Sequence, residues 1–241
     1  MLRNLKIKKM NKPIRKDFEK YFKSMNPNNS SYGLDYIGRM ANANIRNYIN
    51  PTITEERELH VAQMDVFSRL MMDRIIYFGM EVNRDSSNVV VSQLLYLDSC
   101  APGEDIRIFI NSPGGSIYDG YGILDTMASL KSDVATNCTG LAASFGAMIL
   151  SCGTRGKRTA LPHSRIMIHQ PSGGAEGKQT DIEIVYKEIT TLKRELAEIL
   201  AQRTKQPFEK VLADMENDNW MTAEEAKNYG IIDSVVDVKW D

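Results

Sequence analysis

The chain is poor in cysteine and histidine and has no long apolar run, and each shortage removes a class of function. Its cysteines are Cys100, Cys138 and Cys152, with no CxxC pair among them. Neither a disulfide scaffold nor a cysteine-rich zinc site can be built from that set. All three lie in apolar sequence, which reads as buried, reduced thiols in a cytoplasmic protein. The histidines are His60, His163 and His169. His60 follows the charged stretch Glu55-Glu56-Arg57-Glu58, expected to be an exposed loop or frayed helix. His163 follows Leu161-Pro162 in a turn context. Neither has an acid or cysteine at ligand spacing, so no metal is expected. The longest apolar run, near Ala142 to Leu150, falls well short of the ~20 residues that cross a bilayer. Charge of one sign is also missing. Lys+Arg 30 against Asp+Glu 31 leaves a formal net charge of -1, without the basic excess of a nucleic-acid binder.

What remains is an ordinary globular composition with an unusual start. Residues 1–23 carry Arg3, Lys6, Lys8, Lys9, Lys12, Arg15, Lys16, Lys20 and Lys23 against Asp17 and Glu19. No apolar segment follows, so this is not a secretory signal. Residues 1–48 are read as a basic leader, propeptide or flexible arm.

From about Met64 the pattern becomes regular. A short helix is expected over Asp65–Met72 and strands over Arg74–Gly79, Ile106–Ile110 and Val134–Thr139. Helices are expected over Ser86–Ser99, Ser116–Leu130 and Ser144–Cys152. Alternation of this kind indicates α/β architecture, with βαβ units on a mainly parallel sheet. Strands apolar on both faces would lie between helix layers. Over Thr180–Lys205 the rhythm changes. Ile182, Val185, Ile189, Leu192, Leu196 and Ile199 recur in steps of three and four, a narrow seam suited to a helix that projects to meet a partner. Thr222-Ala223-Glu224-Glu225 is a capping box, Gly230 ends that helix, and Val235–Val238 is expected to close the sheet.

Three segments carry the chemistry. Gly140-Leu141-Ala142-Ala143-Ser144-Phe145-Gly146-Ala147 puts a hydroxyl among small residues at a helix start. Alone, such a serine is usually a helix cap. Arg165-Ile166-Met167-Ile168-His169-Gln170-Pro171 ends an apolar strand on an imidazole, and Pro171 turns the chain away. Together they are two halves of an activated serine. Upstream, Asn111-Ser112-Pro113-Gly114-Gly115 can expose bare N–H groups to a developing oxyanion. A third member should be a carboxylate, and Asp181, Asp214, Asp218 and Asp233 are all available. Asp218, in a polar connection before Trp220, is the best local candidate, and Asp233 reads as a turn residue.

These segments, in this order, closely resemble the Clp protease proteolytic subunit family (ClpP). So do Thr180-Asp181-Ile182-Glu183-Ile184 and Glu224 to Asp233, and the likeness runs from about Ile49 to Val238. The resemblance implies a ClpP/crotonase-like spiral of βαβ units with a projecting handle helix over about 180–205. It implies a serine endopeptidase domain over 64–241, with Ser144 as nucleophile, His169 as general base and Asp218 as orienting acid. It implies Gly115 and Phe145 as the oxyanion N–H donors. It also implies a homo-tetradecamer of two stacked heptamers, joined through Ile182, Val185, Ile189, Leu192, Leu196 and Asn219. An axial gating loop over 49–63 would meet a hexameric AAA+ unfoldase of the ClpX, ClpA or ClpC type. That unfoldase would deliver unfolded polypeptide and use the ATP, so this chain needs no cofactor. No nucleic acid and no membrane enter this scheme, and the location implied is cytoplasmic. Many family members carry Arg after the acid, pairing across the ring interface, where this chain has Asn219. Two rivals share part of the pattern: a crotonase-type acyl-CoA enzyme, and a non-catalytic ring subunit.

Overall fold

A computed structural model describes residues 52–57 and 60–239, with side chains from Asp65 onward. The leader expected over 1–48 lies outside the described residues. Strands β1 (Thr52–Arg57) and β2 (His60–Asp65) form a separate two-stranded sheet. The loop or frayed helix expected around Glu55 to His60 is therefore replaced by strand on either side of residues 58–59. The β-branched Thr52, Ile53, Thr54 and Val61 favour that extended backbone.

Helix α1 (Val66–Met72) leads into β3 (Ile75–Phe78), α2 (Arg84–Cys100), β4 (Ile106–Ser112), α3 (Ile117–Ser129), β5 (Val134–Ala143) and α4 (Phe145–Cys152). Local signals set the boundaries. Asn83 and Ser86 form a reciprocal capping box at the start of α2. The chain continues through β6 (Arg158–Ala160), β7 (Arg165–Ile168), α5 (Gln179–Thr204), α6 (Phe208–Asp214), β8 (Asn219–Thr222), α7 (Ala223–Tyr229) and β9 (Ser234–Val235). The Thr222/Glu225 capping box opens α7 as the sequence suggests. The closing strand is two residues, Ser234–Val235, rather than Val235–Val238. Strands β6 and β8 and helix α6 are too short to show a period, and no local pattern announces them.

The main sheet runs β3-β4-β5-β6-β9, all parallel. Strand β5 divides: residues 136–138 pair with β6, and residues 141–143 pair with β7. Strand β8 then joins β7 antiparallel. The expectation of strands apolar and buried on both faces holds for β7, where Ile166, Met167 and Ile168 are all buried, and not for β4. In β4, Ile106, Ile108 and Ile110 are buried while Arg107 and Asn111 are exposed. The sequence Ile-Arg-Ile-Phe-Ile-Asn-Ser alternates, as a strand with one buried face does. Cys138 is buried, but Cys100, at the end of α2, is exposed, contrary to the expectation for all three thiols.

Asp233 is more than a turn residue. Its carboxylate accepts two hydrogen bonds from the Arg158 guanidinium (3.0 and 2.6 Å), and Arg158 is only 5% exposed. Partial burial pushes the Asp233 carboxyl up. The Arg158 bonds and charge and the Gly156 N–H outweigh this and hold it below the ordinary carboxylate range. A depressed carboxyl contributes stability above the ordinary aspartate value and loses it as pH falls through the folded value. Asp233→Asn, which leaves a buried guanidinium uncompensated, should cost about 3 kcal/mol at neutral pH. A melt should show Tm lower by roughly 6–12 °C, with part of the acid-side loss of stability already gone. An unchanged melt would show that the pair contributes nothing net.

Candidate active site

Two strand ends and one turn assemble the site. Strand β7 lies beside the end of β5, and the Ser144 N–H donates to the Met167 carbonyl (2.8 Å). That places Ser144 next to the strand that ends one residue before His169. Across β7, the antiparallel register pairs Met167 with Trp220 and Ile168 with Asn219. One step further on, the same register puts His169 opposite Asp218.

The side chains follow. With its Nδ1 protonated, His169 donates to Asp218 Oδ1 (2.9 Å), and its Nε2 accepts from Ser144 Oγ (2.9 Å). The other aspartates are used elsewhere. Asp181 accepts the Lys178 N–H at the start of α5, Asp214 accepts from the Tyr229 hydroxyl (2.8 Å), and Asp233 holds Arg158. Ser144 does occupy the cap position of α4, yet its side chain makes no capping bond. Its backbone is at φ 54, ψ -122, outside the regions an L-residue prefers. The hydroxyl is turned from the helix it precedes towards the imidazole. Burial pushes the Cys138 and Cys152 thiols up, which disfavours their thiolates.

The Gly114-Gly115 turn abuts the turn that carries Ser144. Gly114 and Gly115 have φ of 92° and 144°. A Cβ on Gly114 would lie 2.6 Å from Ser144 Cβ and 2.8 Å from the Phe145 nitrogen. The Val82 N–H donates to the Gly114 carbonyl (2.7 Å), and the Ser116 N–H donates to the Val82 carbonyl (2.8 Å). The turn is thus pinned by the groups on either side of the Gly115 N–H. Phe145 is the first residue of α4, where an N–H has no acceptor within the helix. Sequence reasoning missed what supports it. The Tyr121 ring packs edge-on to Phe145 at 5.8 Å, and its hydroxyl donates to Glu195 Oε2 (3.3 Å). Burial, with Glu195 beside it, pushes the Tyr121 phenol up, so it stays a donor.

A cleft of about 260 Å³ opens at Ser144 and His169. Its apolar lining comes from Met148, Ile168, Leu192, Leu196, Leu200 and Met215. Two of these correct the reading of the long helix. Leu192 and Leu196 are 7% and 5% exposed within this chain, so they are not free to bind a second copy. The seam divides. From Leu192 onward it widens through Ala197 and Leu200 and packs on α4 and α6. Before that, Val185 and Ile189 are half-buried, and Ile182, Ile184 and Tyr186 are 43%, 65% and 69% exposed. Asn219 begins β8, half-buried, opposite Ile168.

Among the described residues, no group of three His, Cys, Asp or Glu side chains could hold a metal, and no helix is long and apolar enough to cross a membrane. Residues 57–239 match the model of the Clp protease family. The chain is 60% identical over 189 residues to an ATP-dependent Clp protease proteolytic subunit of Bacteroides thetaiotaomicron, covering 78% of this chain and 86% of that one. A subunit of the same description from Bacteroides fragilis is 59% identical, over 78% of this chain and 91% of the relative. One from Porphyromonas gingivalis is 57% identical, over 79% and 86%.

Proposed function

Because this chain belongs to the Clp protease family, we propose that Ser144, His169 and Asp218 hydrolyse peptide bonds as one unit. The protein is a Clp-type serine endopeptidase, the proteolytic subunit of an ATP-dependent protease. One observation carries the residue assignment: an unbroken line of hydrogen bonds from Asp218 through His169 to a hydroxyl that caps no helix.

The Ser144 oxygen attacks the scissile carbonyl while His169 Nε2 takes its proton. The Asp218 carboxylate keeps the imidazole in the tautomer that accepts at Nε2, and stabilises the imidazolium without taking the proton. The N–H groups of Gly115 and Phe145 receive the oxyanion, each contributing about 3–4 kcal/mol to the transition state. His169 returns the proton to the leaving amine. A water, deprotonated by the same imidazole, then cleaves the acyl-enzyme. The apolar wall formed by Met148, Leu192, Leu196 and Met215 would receive an apolar side chain next to the scissile bond.

The assembly proposed is two stacked heptamers joined through the exposed half of α5, Ile182 to Ile189, with Ile184 and Tyr186 added to the expected set. Leu192 and Leu196 belong to the chain's own core. An ATPase component supplies the substrate. We propose a hexameric AAA+ unfoldase that passes unfolded polypeptide to the rings, and the segment 49–63, with β1 and most of β2, as the gate it meets. The cytoplasm is the proposed location, on the three unpaired thiols. No cofactor is needed for the steps above.

A fluorophosphonate probe tests the reading on the purified full chain. It should label Ser144 alone and stop cleavage of a short peptide bearing an apolar residue before the scissile bond, by a particle that sediments as a double ring. Hydrolysis of an acyl-CoA ester without peptide cleavage would favour the crotonase alternative. Absence of labelling would leave a non-catalytic ring subunit.

A further inference from the structure

Asp218 is 60% exposed, and the register that brings it to His169 has run past the end of both strands. Something else must hold it. The connection from Met215 to Asp218 leaves α6 and enters β8, and three contacts fix it from outside. The Gln170 N–H donates to the Met215 carbonyl (2.6 Å). The Gln170 side-chain Nε2 donates to the Glu216 carbonyl (2.8 Å) and lies 3.4 Å from Glu216 Oε1. Lys193 Nζ, on α5, donates to Glu216 Oε2 (2.7 Å) and is 25% exposed.

Glu216 thus stands where three segments meet: the residue directly after the base, the loop that carries the acid, and the helix that walls the cleft. Its carboxylate grips α5 while its carbonyl is gripped from the base side. The Lys193 hydrogen bond and charge hold the Glu216 carboxyl below the ordinary carboxylate range. An isolated surface pair of this kind adds little to stability. Its importance lies in geometry, because a displacement of about 1 Å in a catalytic group can cost roughly 10²-fold in rate.

We propose that Glu216, held by Lys193 and Gln170, is a positioning residue that keeps Asp218 on the His169 imidazole. The proposal rests on the reading of Ser144, His169 and Asp218 given above. Glu216 touches no reacting atom and acts only through Asp218.

The test uses the full-length assembled protein and a short peptide substrate, with sedimentation run alongside. Glu216→Ala should lower kcat by about 10-fold or more with KM within about two-fold. Glu216→Gln, which keeps shape and loses charge, should show the same change more weakly. Lys193→Met should resemble it, and Lys193→Arg should restore most of the rate. In an Asp218→Asn background, Glu216→Ala should have almost no further effect, because the two act on one group. Unchanged kcat in Glu216→Ala would overturn the proposal, as would losses that multiply with Asp218→Asn. A wild-type protein that neither cleaves peptide nor takes up fluorophosphonate would instead overturn the assignment of the site itself.

Discussion

Ser144→Ala is expected to lower kcat for peptide cleavage by about 10⁶-fold, leaving only the residual catalysis of oxyanion donors and binding. The reason is structural as well as chemical. The Ser144 hydroxyl makes no capping bond, so its removal takes nothing from α4 and leaves the fold intact. His169→Ala should cost about as much, and the double variant should be no slower than either single one, because a nucleophile without its base and a base without its nucleophile are equally idle. Asp218→Asn should cost less, about 10⁴-fold, since the hydroxyl and imidazole survive with the wrong tautomer favoured. Single-turnover peptide cleavage on assembled protein measures all four. Near wild-type turnover in Ser144→Ala would remove the nucleophile, and losses that multiply in the double variant would separate Ser144 from His169.

Outside Ser144, His169 and Asp218, the largest effect is expected from Gly114→Ala. The added methyl would meet Ser144 Cβ at 2.6 Å, the Ala143 carbonyl oxygen at 2.7 Å and the Phe145 nitrogen at 2.8 Å. None of these is the yielding end of a long side chain, so the two turns must separate, taking Ser144 and the Phe145 N–H out of register with Gly115. A fall in kcat of about 10²–10³-fold follows from misplacement or loss of one donor. Backbone strain is a separate effect and can be measured separately. Gly103 has nearly the same φ, 88° against 92°, and nothing within 4 Å of an added methyl. Gly103→Ala should therefore carry the strain, visible as a lower Tm, and keep its activity. Equal activity in both variants would show that the glycine turn does not bear on the nucleophile.

Local physics made much of this legible from the sequence. The alternation of β-branched runs and helical spacings from β3 to α4 is a property of neighbouring residues, and those elements lie within a few residues of where the pattern puts them. Ser144 and His169 stood out because each sits among residues that have no other evident reason to be there: small residues crowding a hydroxyl, and a proline turning the chain just past an imidazole. The capping boxes at Thr222 and Asn83 are local too, although only the first was recognised.

The rest depended on residues far apart in the chain. Four aspartates were equivalent by spacing, and the antiparallel pairing of β7 with β8 is what brings Asp218 to His169; β8 is four residues long and carries no period of its own. Arg158 and Asp233, 75 positions apart, meet only because β6 and β9 are neighbours. The seam of α5 looked uniform because its period is uniform. Whether a given turn is buried depends on what the fold sets against it, and α4 and α6 meet only the half from Leu192 onward. Periodicity states that a face is apolar, and tertiary packing alone decides whether the chain covers that face itself or leaves it for a partner.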